Sequence, residues 1–120
     1  MRILIVDDSK PMRRLIQRTV IKAGFEGHEF IEACDGAEAL DFIEGDCPDL
    51  VLADWNMPNM NGIELLEALN RKEIDVKYGF ITSEQTAEME TLAKGKGALF
   101  LIGKPFDASI FQAKLTGIIQ

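Results

Sequence analysis

Leu50-Val51-Leu52-Ala53 is an apolar run too short for a helix, and it stops on a single carboxylate, Asp54, before turn residues from Asn56 to Gly62 break the pattern. Such an unalternating run suits a strand buried on both faces, as in a parallel sheet covered by helices. Three more runs end the same way: Arg2 to Val6 on Asp7-Asp8, Tyr78 to Ile81 on Thr82-Ser83, and Ala98 to Ile102 on Gly103-Lys104-Pro105-Phe106. Ligands of open parallel α/β sheets gather outside the carboxyl ends of the strands. These four ends therefore predict one edge that carries three carboxylates, a hydroxyl and an ammonium.

Helical patterns separate the runs. Ser9 to Gly24 places Met12, Leu15, Ile16, Thr19, Val20 and Ala23 at helical spacing, with Ser9 as cap, Pro11 in the first turn and Gly24 as the stop. Gly27 to Cys34 reads as a strand of mixed polarity near a sheet edge. Gly36 to Glu44 puts Ala37, Leu40 and Ile43 on one face of a second helix, ended by Gly45 and Pro48. Ile63, Leu66 and Leu69 mark a third helix, Ala87, Met89, Leu92 and Ala93 a thin stripe on a fourth from Glu84 to Lys96, and Phe106 to Ile119 a fifth.

Five strand and helix alternations in 120 residues force right-handed crossovers and a five-stranded parallel sheet with helices on both faces. An eight-unit barrel needs about twice the chain. With 47% hydrophobic residues and no linker or repeat, residues 1–120 read as one doubly wound α/β domain. The 13 Lys plus Arg against 20 Asp plus Glu give a net charge of -7, which opposes direct binding to nucleic acid or anionic membranes. No run reaches membrane-spanning length and Met1 to Asp8 is charged too soon for a signal peptide, so a cytoplasmic monomer is expected. Cys34 and Cys47 lack zinc or disulfide spacing, and His28, on a peripheral strand, reads as a surface residue.

Asp7, Asp8 and Asp54 repel one another unless a cation intervenes, and a hard divalent ion such as magnesium fits an all-oxygen set. Asp54 alone is open to three roles: metal ligand, general base or nucleophile. A cation, a fixed ammonium from Lys104 and a hydroxyl from Thr82 around one carboxylate supply what a transferring phosphoryl group needs, charge neutralisation on its oxygens and an in-line nucleophile. Attack by Asp on phosphorus gives an aspartyl phosphate. The plainer alternatives are that Asp7-Asp8 caps a helix and Pro105 begins one.

Val-Asp-Asp-Ser at 6–9, Met12-Arg13, Asp-Gly-x-Glu-Ala-Leu at 35–40, Asp-Trp-Asn-Met-Pro at 54–58, Gly62, Thr82 and Lys-Pro-Phe at 104–106 together resemble the receiver domains of two-component response regulators, the single-domain chemotaxis regulators above all. The resemblance implies a flavodoxin-like (βα)5 fold with strand order 2-1-3-4-5. It implies Asp54 as phosphoacceptor and metal ligand, Asp8 as direct metal ligand, Asp7 as a ligand through water and Asn56 as donor of a backbone carbonyl. Thr82 and Lys104 would contact the phosphoryl group, with a cis bond before Pro105. The implied cofactor is magnesium, with manganese as a substitute. The implied partners are a sensor histidine kinase as phosphodonor and an output protein on the face made by the fourth helix, fifth strand and fifth helix, with Thr82 as the switch.

Where receivers carry Tyr or Phe three residues before the lysine, this chain has Leu101, and Phe100, one position away, points to the other side of a strand. Ser83 stands where the family prefers Ala, and Ala87, Glu90 and Leu101 are not the residues with which chemotaxis regulators meet the flagellar motor. A haloacid-dehalogenase-like phosphatase would need Asp-x-Asp after the first strand, and an FMN carrier a Ser/Thr/Gly-rich loop there; Asp7-Asp8-Ser9 supplies neither. Two readings remain beside signalling: a binding module that works without phosphorylation, against which the Asp8, Asp54, Thr82 and Lys104 set argues, and a phosphate sink for a shared kinase.

Overall fold

The computed structural model describes residues 1–119. Its strands are β1 (Arg2–Val6), β2 (Glu29–Ala33), β3 (Leu50–Ala53), β4 (Lys77–Thr82) and β5 (Phe100–Gly103). They alternate with α1 (Lys10–Lys22), α2 (Gly36–Gly45), α3 (Gly62–Arg71), α4 (Ala87–Gly95) and α5 (Ala108–Leu115). All pairings are parallel, in the order β2-β1-β3-β4-β5, the flavodoxin-like arrangement that the family resemblance implies.

The period of two along each strand sorts the core into two layers. Leu4, Val6, Val51, Ala53, Tyr78, Phe80 and Leu101 face Ala39 and Ile43 of α2, the leucines of α3 and Ala93 of α4. Ile3, Ile5, Leu50, Leu52, Ile81, Phe100 and Ile102 face Ile16 and Val20 of α1 and Phe111 and Leu115 of α5. Strand β3 is buried along its whole length because helices cover both its faces. At the β2 edge, exposed Glu29 and Glu32 discourage a further strand from pairing.

Several helices differ from the sequence reading in the face they bury. Leu15 is 43% exposed, since the buried stripe of α1 runs through Ile16, Thr19 and Val20. In α2 the buried residues are Gly36, Ala39 and Ile43, with Ala37 exposed and Leu40 only half-buried; the glycine carries no apolar signal yet sits against Met60. Helix α4 begins at Ala87 behind a Thr86 cap, and only Ala93 is buried while Leu92 is 45% exposed. Helix α5 stops at Leu115, and a turn at Gly117 (φ 89°) returns Ile119 to the core. His28 is half-buried, its Nδ1 3.0 Å from the Met1 amino group. No helix among the described residues is long and apolar enough to cross a membrane.

Candidate phosphoacceptor site

The register fixes the site. Val6 pairs with Ala53, so the residues that follow, Asp7 and Asp54, leave the sheet side by side, and the Asp54 amide donates to the Val6 carbonyl at 2.9 Å. Thr82 ends β4 opposite Gly103 of β5, and the Lys104 amide donates to the Thr82 carbonyl at 2.8 Å. Four strand ends thus deliver Asp7, Asp8, Asp54, Thr82 and Lys104 to one edge. The Lys104–Pro105 bond is cis.

Carboxylate oxygens of Asp7, Asp8 and Asp54 all lie within 4.8 Å of one another. The Lys104 ammonium donates to Asp7 Oδ2 at 3.0 Å and to Asp54 Oδ2 at 3.1 Å. Three carboxylates against one ammonium leave two negative charges, which a divalent cation would balance, and the donors are hard oxygens of the kind magnesium prefers. Asp8 is exposed, so it can meet a hydrated ion from solvent. Asp7 is 1% exposed and already engaged, through Oδ1 with the Ser9 amide at 2.9 Å and through Oδ2 with Lys104. Asn56, whose carbonyl the sequence reading placed among the ligands, lies on the exposed loop after β3.

Burial pushes the Asp54 carboxyl above its ordinary range, an effect opposed by the charge and hydrogen bond of Lys104. Burial alone would lower the Lys104 ammonium, but its hydrogen bond to Asp7 and the charges of Asp54 and Asp7 prevail and raise it. Lysine is therefore charged across the physiological range and holds two carboxylates at once. The Thr82 hydroxyl is fully buried and accepts from the Glu84 amide at 3.3 Å, which leaves its own proton free to donate.

Two residues to which the sequence reading gave no role, though both stand in the motifs it quotes, bond to this corner and its loop. Arg13 donates to the Asp7 carbonyl at 2.7 Å and to Glu32 at 2.8 Å, tying α1 and β2 to the acidic corner. Asp35 bonds the loop that follows Asp54. The signal for Arg13 was present, a cation one turn into the helix that begins beside two acids; Asp35 entered the sequence reading only as the first residue of the motif at 35–40.

Residues 3–116 match the response regulator receiver domain family. The chain belongs to that family. It is 37% identical to the chemotaxis protein CheY-3 of Vibrio cholerae over all of this chain and 92% of that one. It is 35% identical to a CheY homologue of Campylobacter jejuni over 99% of this chain and 92% of the other. The crystal structure of the Vibrio cholerae chemotaxis protein CheY4 superposes with a TM-score of 0.83 at 29% identity, covering 98% of this chain and 97% of that one. Receiver domains of this kind take phosphoryl groups from histidine kinases and bind output proteins.

In this receiver domain the two carboxylates after the first strand differ in exposure and engagement, Asp7 buried and bonded, Asp8 exposed. Asp8→Ala is expected to weaken magnesium binding more than Asp7→Ala, because only Asp8 has unengaged oxygens at the solvent side. Titration of Trp55 fluorescence in both variants gives the order, and equal losses or the reverse order would contradict it.

Proposed function

We propose that this chain is a phosphoacceptor, taking a phosphoryl group from the phosphohistidine of a sensor kinase onto Asp54. The observation that carries the reading is the Asp54 carboxylate itself: its side chain is 11% exposed and 3.1 Å from the Lys104 ammonium, and its oxygens lie among those of Asp7 and Asp8. A nucleophile so placed can attack phosphorus while the P–N bond to the donor imidazole breaks; the histidine keeps the electron pair and takes up a proton.

Asp8, Asp54 and the Asn56 carbonyl are the residues that would hold magnesium, with Asp7 acting through water. Bound there, the ion neutralises charge on the phosphoryl oxygens. Lys104 exchanges its bond to Asp54 for one to the phosphoryl group and keeps Asp7 as partner. Thr82, its hydroxyl proton uncommitted, donates to another phosphoryl oxygen. Water in line with the P–O bond later returns the carboxylate and releases phosphate. The test is acyl phosphate with magnesium, followed by intact mass and peptide mapping: one phosphoryl adduct on the β3 peptide, lost when the ion is chelated, supports the reading, whereas labelling elsewhere overturns it.

Phosphorylation then biases a two-state equilibrium in the α4, β5 and α5 face. A cleft of about 510 Å³ lies there, lined by Gln85, Leu101, Phe106, Ile110 and Lys114 among others, and an output protein would read it. Leu101 is 3% exposed and packs in the layer shared with Ala93 and Met89 of α4, whereas Phe100 lies in the opposite layer over Gly79. An aromatic at position 101 could swing between cleft and interior. Leu is shorter and gains by staying in, its burial contributing about 2 kcal/mol in either state. Little rotamer change at Leu101 is therefore expected on adding beryllofluoride and magnesium, with the response concentrated in residues 83–90. Methyl NMR reads this directly, and a large change in Leu101 rotamer populations would sink it.

A further inference from the structure

Asp35 makes one more bond than a helix cap requires. Its Oδ1 accepts from the Glu38 amide at 2.8 Å, which caps α2, while Oδ2 accepts from Asn59 Nδ2 at 2.7 Å. The backbone repeats the contact next door, where the Gly36 amide donates to the Met60 carbonyl at 3.0 Å. A Cβ on Gly36 would run into Met60, so the two segments touch too closely for any larger residue. Asp35 is 8% exposed, and the Glu38 amide, then Asn59, hold its carboxyl below the usual range. It is an anion with both oxygens in use.

Asn59 belongs to the loop between β3 and α3. The neck of that loop is closed by the Gly62 amide donating to the Trp55 carbonyl at 2.9 Å. Between neck and tip lies Asn56. Asn56, Pro58 and Asn59 are exposed, while Met57 and Met60 are half-buried and pack against the core layer under α2, α3 and α4. Asn59 has φ 66°, a left-handed conformation that asparagine tolerates better than most residues. The loop that carries Asn56 is thus held at its neck, through Met57 and Met60 against the core, and near its tip by the Gly36 to Met60 and Asp35 to Asn59 bonds.

We propose that Asp35 and Asn59 are a positioning pair that aims the Asn56 carbonyl at the acidic corner and so tunes divalent-cation affinity from outside the ligand set; this rests on the reading of Asp8, Asp54 and the Asn56 carbonyl as ligands. Groups that orient metal ligands without touching the ion commonly govern affinity by an order of magnitude or more.

Two substitutions break the bond while sparing the fold. Asp35→Ser keeps a side-chain oxygen to cap α2, and Asn59→Gly keeps the left-handed backbone accessible. Each is expected to weaken magnesium binding roughly tenfold by Trp55 fluorescence titration, and the double variant no more than either single, because one shared bond is lost only once. The reciprocal pair Asp35→Asn with Asn59→Asp restores a donor and an acceptor in reversed sense; it should recover wild-type affinity to within about twofold, which a merely structural loss would not allow. Single variants that bind like wild type, losses that add in the double, or a reciprocal pair that fails to recover would each overturn the proposal. A wild-type chain that bound no magnesium would remove the ligand assignment as well, whereas normal wild-type binding with unaffected variants removes the positioning pair alone.

Discussion

Asp54→Asn is expected to leave a folded chain that acyl phosphate and magnesium no longer modify, with labelling at the β3 peptide falling by at least about a thousandfold, a barrier increase of about 4 kcal/mol. Asparagine matches aspartate in shape, and the bond that seats the residue, from its amide to the Val6 carbonyl at 2.9 Å, belongs to the backbone. What disappears is the anionic oxygen that attacks phosphorus. Lys104 loses one acceptor but keeps Asp7 at 3.0 Å, so its ammonium stays in place. Removing one of three carboxylates whose oxygens lie within 4.8 Å also removes like-charge repulsion, so the urea midpoint is expected at or above that of wild type. Intact mass and urea unfolding on the same preparation separate the two effects. Full adduct formation on the folded variant would show that Asp54 is not the acceptor. The variant also divides the signalling reading from a module that binds without phosphorylation, since only the former predicts that partners captured by the modified wild type are lost.

The strands and the acidic edge were legible because each rests on a local, repeating cause. A strand covered on both sides must be apolar throughout, so Leu50 to Ala53 declared itself, and the register of a parallel sheet then carries each strand's next residue to the same edge. Helix faces were less legible. Counting apolar residues assigned Leu15 and Leu92 to the interior, yet which side of a helix meets the sheet is decided by the whole layer, and both leucines lie off that side. Gly36 and Gly62 are buried without any hydrophobic signature, because their value lies in what they lack. The Asp35 to Asn59 bond joins residues 24 apart; no periodicity reports a single tertiary hydrogen bond, so this tie to the loop after Asp54 was not legible. Phe100 and Leu101 separated as expected, since adjacent residues of a strand face opposite ways.

Gly62 is where fold and site depend on the same missing atom, and Gly62→Ala is expected to damage both. A Cβ there would collide with the Asp54 carbonyl oxygen and lie 2.9 Å from Cε1 of Phe80. Neither neighbour can move cheaply. The Asp54 backbone is pinned at the end of β3, and the Phe80 ring is held between Trp55 and Tyr78, with ring centroids at 4.8 Å and 5.2 Å. Gly62 cannot retreat, because its amide bonds Trp55 and its carbonyl accepts from the Tyr78 hydroxyl at 2.8 Å, and that hydroxyl is fully buried with burial raising its pKa far above the usual tyrosine range. Overpacking of this kind costs typically 1–3 kcal/mol, and the rigid surroundings place Gly62→Ala near about 3 kcal/mol. The displacement falls on the peptide of Asp54, so acyl-phosphate labelling should slow as well, even in the fraction that remains folded. Gly45→Ala is the matching control: nothing lies within 4 Å of a Cβ built there, and alanine in place of glycine in a helix is neutral to stabilising by up to about 1 kcal/mol. Urea unfolding of both variants decides the matter. A Gly62→Ala midpoint equal to that of wild type would mean that the end of β3 yields easily, and a site built on its rigidity would then need another source of order.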